Sequence, residues 1–571
     1  MSKRRCTVAV AIVMAAVLGV SGCAGRGGQD SKSSVSSHDP ASLVQRNPQD
    51  RAHMDKGGTA IFAVKIFPTN YNKLHTNGNN GDWGRVTKAT DPTLFIYSPQ
   101  GVASARTEYL TKMPHVEITG GKQVVTYDLN PKAIWNDGTK IDWTAFEATW
   151  KSQRAPVDEG KYNNAGATAG YEDIESIEKG DTPEQVVVTF KQPFNPITEI
   201  FDILIHPKVA KDPETFNTLM KTDPHPELRS GPFVIKEIDE QSKTVVIVPN
   251  DKWWGNAPML DRVVFRQMED SATILAFKNG EIDATDVANK ARLEQIRGTA
   301  GMELRRSQLL YNNVYIFNAK SPNIKDIAVR KAIWQGLDRE QLRKIKFNGV
   351  DYTEKPVESG LFFSFDPRAE NNTPVKFDPQ AAQKTLHDAG YAKQADGFVA
   401  KDGKKLSVRY TTFGDDPLSA ALAQTTQSQL KAIGIDLQLD IRPSAQFGST
   451  VEKKDFDFIA MAWSATTNSP LGGMCQSMCS DSGNNFSAAG TPELDARIKK
   501  LGSITDEEEQ AKEMNAVEKE WMAETYGQLP LWNGPKITAT REGLANWGPG
   551  LFQELTPKWE EVGWQKGFKK G

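Results

Sequence analysis

The sequence predicts an α/β protein of two or more domains, and three observations lead there. The chain has 571 residues, beyond the ~250–300 at which a single hydrophobic core stops growing. Hydrophobic residues make up 38% and charged residues 25%, the balance of a soluble globular body. From Leu406 to Trp463, stretches alternating at period two take turns with stretches striped at helical spacing, the pattern of strands joined by crossover helices.

Taken in order, the chain opens with Lys3, Arg4 and Arg5, followed by an apolar or small-residue run from Thr7 to Val20. That run is too short to span a bilayer and reads as a signal peptide. Val20-Ser21-Gly22-Cys23 resembles a bacterial lipobox, in which the cysteine is acylated and becomes the new N-terminus. Residues 1–22 are therefore expected to be removed and Cys23 lipidated; a cleaved signal with a chance cysteine is the plainer alternative. Removal takes away three cations and no acid, so the net charge moves from −3 to −6. Neither value argues for nucleic acid. Residues 23–58, rich in Ser, Gly and Asp, read as a flexible tether.

Thr59 to Val64 is a strand candidate, and Phe67-Pro68-Thr69-Asn70-Tyr71-Asn72 is a turn after it. Gly78-Asn79-Asn80-Gly81-Asp82-Trp83-Gly84 lacks the spacing of a dinucleotide loop, and a solvated loop is expected. Val124 to Leu129 alternates as a strand. In Asn136-Asp137-Gly138 the glycine permits a tight turn, and Asp142 is placed to cap a helix over Thr144–Gln153. Turn and cap account for both aspartates without acid–base or calcium chemistry.

Val314 to Phe317 reads as a buried strand, and Asp326 as the N-cap of a helix. Ile327, Ile333 and Leu337 would face inward there, leaving Arg330 and Lys331 to water. Asp338, with Gln341 three residues on, has the form of a capping box. Asp378-Pro379 opens a helix that Gly390 closes. Leu406, Val408 and Tyr410 form a strand, Leu422, Thr426, Leu430 and Ile433 stripe a helix ending at Gly434, and Ile435 to Ile441 alternates strictly. A helix over Ser444–Lys454 and a strand over Phe456–Trp463 complete a parallel unit. Ligands of open α/β sheets sit beyond the carboxyl ends of the strands, so the loop after Trp463 is the best cleft candidate. Cys475 and Cys479 lie in a Gly- and Ser-rich loop without a nearby His. A disulfide is expected, with free thiols or metal ligands as the alternatives. Thr491-Pro492-Glu493 opens a helix whose continuation would carry Asp506-Glu507-Glu508-Glu509 on a solvated face.

Several stretches carry a resemblance. They are Trp135-Asn136-Asp137-Gly138 with Asp142, Ser230-Gly231-Pro232-Phe233, Asn250 to Gly255, Ala276 to Asp283, Tyr311 to Arg339, and Leu529-Pro530-Leu531-Trp532. In that order they are similar to the family 5 extracellular solute-binding proteins, the oligopeptide- and dipeptide-binding components of ABC importers. The resemblance implies an α/β, two-lobed periplasmic-binding-protein-like fold (type II, cluster C with an extra subdomain), with mixed sheets flanked by helices. It implies a first lobe over 59–310 with an inserted subdomain near 76–215, a second lobe over 311–527, and a return over 528–571. Tyr311–Arg339 would carry the hinge. A peptide would lie between the lobes and pass to ABC permease subunits. No cofactor or metal is implied, and a monomer held to the outer face of the membrane by its lipid is expected.

The resemblance also nominates a site: Asn70 and Tyr71 on one side, and Ala462, Trp463, Ser464, Ala465 and Asn468 on the other. Trp463 offers an apolar face and an N–H to a ligand, although a core aromatic is the plainer reading. The family places an aspartate shortly after this tryptophan to pair with a peptide's α-amino group. Here Ser464 to Pro470 contains no carboxylate, so the amino terminus is expected to be held weakly or elsewhere. No H-E-x-x-H, G-x-S-x-G or G-K-[ST] occurs, and Ser428-Gln429-Leu430-Lys431 lacks a companion K-T-G. A binder rather than an enzyme is expected; a non-peptide ligand or an envelope scaffold role is the alternative.

Overall fold

The computed structural model describes residues 44–154, 161–164, 170–350, 352, 354–465 and 468–570. Cys23, the signal peptide and most of the expected tether lie outside the described residues, as do Thr466 and Thr467.

Among the described residues, three sheets organise the chain. The largest has seven strands in the order Met302–Gln308, Pro535–Arg541, Ala284–Asp286, Thr59–Val64, Arg262–Gln267, Thr244–Pro249, Phe233–Asp239. Thr59–Val64 is central and parallel to both neighbours; its alternating Ala60, Phe62 and Val64 are buried. A four-stranded antiparallel sheet, His115–Thr119, Lys122–Asp128, Gln185–Phe190, Ile174–Lys179, lies within the stretch expected to form an inserted subdomain.

The third sheet belongs to the second lobe: Asp436–Arg442, Ser407–Phe413, Phe458–Ser464, Tyr311–Phe317, Gln528–Trp532. Ser407–Phe413 is parallel to both of its neighbours, the arrangement the strand–helix alternation predicts. Tyr311–Phe317 runs antiparallel to both of its own, which makes the sheet mixed. Its Val314 to Phe317 are buried.

The chain passes from the seven-stranded sheet to this one between Gln308 and Tyr311, and returns between Trp532 and Pro535. The expectation that Leu529–Trp532 itself brings the chain back therefore needs correction. That strand still pairs with Tyr311–Phe317 in the second lobe, and the crossing is made by Asn533-Gly534. The two connections are bonded to each other. Leu309 N–H donates to the Gly534 carbonyl at 2.9 Å, and the Asn533 side chain donates to the carbonyls of Leu309 and Tyr311. A Cβ on Gly534 would fall 2.3 Å from the Phe347 ring, so only glycine lets that ring close over the connection.

Five further expectations differ from the structure. Helix Gly81–Thr90 begins inside the stretch read as a solvated loop, capped by Asn80, whose side chain accepts from Trp83 N–H; Trp83 is buried. In helix Ile327–Gly336, Ile333 and Leu337 are buried as expected, but Ile327 is 42% exposed and Arg330 only 5%. Arg330 donates to the carbonyls of Ile324, Lys325 and Thr525, satisfying a guanidinium that helical periodicity assigns to water. Asp338 does cap the next helix, yet Gln341 accepts from Gln429 instead of closing a capping box. Asp506 to Glu509 open a separate helix, Glu507–Thr525, whose first turn favours acids. Finally, residues 44–58 are packed rather than tethering: Arg46 and Met54 are buried, and Met54–Asp55 pairs with Gly563–Gln565.

Candidate functional site

The second-lobe face of the site follows from strand register. Tyr311 lies opposite Ser464 and Asn312 opposite Trp463, so the carboxyl end of strand Phe458–Ser464 sits at the interlobe connection. Ala465 N–H extends the pairing, donating to the Leu310 carbonyl at 2.9 Å. The loop after Trp463 therefore starts at the hinge itself.

Trp463 is half-buried, with its ring stacked on Phe486 at 5.8 Å and 8°. Its N–H is already engaged, donating to Gln528 Oε1 at 2.8 Å, while Gln528 donates on to the Ser477 carbonyl. The expectation that this N–H orients a ligand needs correction; the ring alone is left to offer. Ser464 is exposed, and Ala462 is half-buried beside Asn313.

From here the loop reaches the first lobe. Asn468 donates to the Gly101 carbonyl at 2.6 Å, in the turn joining strands Phe95–Tyr97 and Ala103–Ala105. Its own carbonyl accepts from Arg368. Gly101 has φ +86°, and a Cβ there would meet Asn468 at 3.0 Å and Phe552 at 3.1 Å. Ala465 packs on an aromatic cluster drawn from both lobes, with Tyr97, Phe363 and Phe552 at its centre and Phe365 beside them. A second bridge joins the inserted subdomain to the second lobe. Asn195 N–H donates to the Gly502 carbonyl, and Gln510 donates to the Asn195 carbonyl, both at 2.7 Å.

Asn70 and Tyr71 are not brought to Trp463 by any of these contacts. Both are 2% exposed. Asn70 donates to the Asn217 carbonyl. Tyr71 packs against Trp83, and its hydroxyl donates to Glu240; burial and that carboxylate hold the phenol well above its usual range. Its carbonyl accepts from Arg229 and Trp83. These are framework bonds within the first lobe. Asp137 and Asp142 are framework too: each accepts from a backbone N–H two residues on, at Thr139 and Thr144. Cys475 and Cys479 form a disulfide, with Cα atoms 4.7 Å apart.

Sequence reasoning missed a set of charged groups in the first lobe and the C-terminal return. Lys88, on helix Gly81–Thr90, is lowered to about 8 by burial, against the opposing pull of Asp202 and Glu554. Burial raises the Asp202 carboxyl to about 6. Glu554 accepts from Lys536, just past the returning connection. No motif surrounds Lys88 or Asp202, so the sequence carries no signal for them.

Two mixed α/β lobes, joined by two bonded connections and meeting around an interlobe loop, define a two-lobed solute-binding protein. The comparisons agree, and the chain belongs to the bacterial extracellular solute-binding proteins, family 5, whose model matches residues 106–485. It is 31% identical over 516 residues to the oligopeptide-binding protein OppA of Mycobacterium tuberculosis, spanning 89% of this chain and 85% of that one. Among solved structures, it is similar to the periplasmic EDTA-binding protein EppA (TM-score 0.78, 23% identity, 92% of this chain and 99% of that one). It is also similar to the oligopeptide-binding protein AppA of Bacillus subtilis, in complex with a nonapeptide (TM-score 0.75, 20% identity, 90% and 100%).

Proposed function

We propose that this chain is a lipid-anchored, extracytoplasmic binding protein that holds an oligopeptide between its lobes and hands it to the permease of an ABC transporter. The observation that supports this best is the likeness to an oligopeptide-binding protein across 89% of the chain, combined with a strand-end loop that begins at the hinge. Ala462, Trp463, Ser464, Ala465 and Asn468 are assigned to the ligand side of the second lobe. Asn70 and Tyr71 are assigned to the scaffold beneath the opposite face. Closure around ligand would present one shape to the permease, since a ligand that contacts both lobes stabilises the closed form. Anchoring is assigned to Cys23 on its lipobox, and a Cys23→Ser protein that remained membrane-bound and normally cleaved would refute it.

Mass spectrometry of material co-purifying with the protein tests the ligand class, and thermal shift across a peptide library tests it independently. A peptide at 100 times its Kd stabilises the folded state by about 2.7 kcal/mol, and Trp463→Ala should reduce that shift by removing the half-buried ring beside the hinge. The second reading, a non-peptide ligand, draws on the EDTA-binding relative. A shift with a metal chelate and none with any peptide would favour it and leave the fold assignment standing.

A further inference from the structure

Cys475 and Cys479 are bonded at the end of helix Leu471–Met478, with Cys475 half-buried and Cys479 fully buried. The bridge joins residues only four apart in sequence, and cross-links over so short a loop remove the least entropy from the unfolded chain. Global stability is a poor account of it. The helix itself is weak: it has eight residues, among them adjacent Gly472 and Gly473, and shortness and glycine both disfavour helix. Cys479 stands just past its end in extended backbone, with its N–H donating to the Cys475 carbonyl at 3.0 Å. The disulfide fastens that last turn.

The same turn carries the supports of Trp463. The Ser477 carbonyl accepts from Gln528 Nε2 at 2.8 Å, and Gln528 Oε1 accepts from Trp463 Nε1 at 2.8 Å. The carbonyls of Met478 and Cys479 accept from Asn485 Nδ2 at 3.2 and 3.0 Å, and the next residue, Phe486, stacks on the Trp463 ring. The N–H of the indole and one of its faces are thus both set by carbonyls beside the bridge. Gln528 and Asn485 are each 1% exposed, so neither amide can exchange a lost partner for water.

We infer that the Cys475–Cys479 disulfide is a positioning device for Trp463, and that its redox state sets how tightly the interlobe site holds ligand. A dithiol attacks the half-buried Cys475 sulfur and Cys479 leaves; two electrons and two protons pass to the bridge, two thiols form, and the dithiol becomes a disulfide. The last turn then loses its fastening, the carbonyls of Ser477 and Met478 shift, and Trp463 is no longer held in one orientation. The effect on ligand rests on the assignment of Trp463 to the site above. The link from disulfide to indole does not.

The test uses the mature protein, refolded with its disulfide intact and carrying 5-fluorotryptophan at its 13 tryptophans. The Trp463 fluorine resonance is the one missing from Trp463→Phe. Dithiothreitol should shift or broaden it in the ligand-free protein, and Cys475→Ser/Cys479→Ser should show one unchanging Trp463 resonance with or without reductant. An unmoved wild-type resonance overturns the inference, as does an equal reductant effect in the double variant. Binding is read with a randomised nonapeptide mixture, whose affinity should fall by about 5-fold on reduction. Equal affinity of oxidised and reduced protein overturns redox control of the site. Failure of the oxidised protein to bind any of the mixture overturns the peptide reading instead, while the fluorine spectrum still decides what positions Trp463.

Discussion

The side-chain amide of Asn533 donates to the backbone carbonyl of Leu309 at 2.6 Å, tying the returning interlobe connection to the outgoing one. The same amide reaches the Tyr311 carbonyl at 3.0 Å, and Asn533 is fully buried. The two crossings therefore move as one bonded ribbon. Asn533→Ala should leave two half-buried carbonyls without this donor and destabilise the protein by about 0.5–1.5 kcal/mol. Chemical denaturation measures that loss, and an unchanged midpoint would show that the crossings are held by other means.

Closure should depend on Gly502. A Cβ there would fall 2.8 Å from the Phe194 ring, at the point where the inserted subdomain meets the second lobe. Gly502→Val should push the two apart, weakening the Asn195–Gly502 and Gln510–Asn195 bonds. The fold of each lobe should survive, since the contact is between them. Small-angle scattering should report a larger radius of gyration than wild type; identical curves would refute the prediction.

Arg106 and Glu560 form an ion pair sealed from solvent, with Arg106 Nη2 at 3.0 Å from both carboxylate oxygens. It joins the entry to the inserted subdomain to the C-terminal segment. Removing only the acid leaves a buried guanidinium with reduced compensation. Glu560→Ala should therefore cost about 3–5 kcal/mol, well beyond any exposed pair such as Lys384–Asp388. A calorimetric comparison of Glu560→Ala with Asp388→Ala checks the ranking.

The ligand-free protein should show a distinctive pH dependence. Asp202 has its folded carboxyl raised to about 6, chiefly by burial and partly offset by Lys88. Between the unfolded value near 4 and this folded value, the folded state binds the extra proton. Asp202 therefore adds stability as pH falls from about 7 towards 4, and takes it away as pH rises. Asp202→Asn should flatten this part of the profile and be at least as stable as wild type at pH 7. Parallel wild-type and variant profiles would refute the burial of this charge.

Local sequence determined most of the scaffold. The alternation of Ile435 to Ile441 and the stripe ending at Gly434 fixed a parallel unit, because period and chain punctuation are properties of neighbouring residues. Asp142, Asp326 and Asp378 cap their helices as the residue types predict, since a cap needs only the next three backbone N–H groups. Trp463 at a strand end followed from the same reasoning, whereas its place beside the interlobe connection came from the strand register.

What the tertiary structure alone decided concerns groups whose partners lie far away in sequence. Arg330 is buried because carbonyls as distant as Thr525 accept its protons, which no helical wheel records. Trp463 gives its N–H to Gln528, and Tyr71 its hydroxyl to Glu240; both bonds reassign residues that looked available for ligand. Lys88 and Asp202 carry no motif, and only the folding of a subdomain against the first lobe brings their charges together. Periodicity reports which face of an element is apolar, whereas hydrogen-bond satisfaction and charge burial depend on whatever the fold places opposite. For that physical reason local sequence determined the strands, helices and caps, while the fold decided which polar groups are buried and with what they pair.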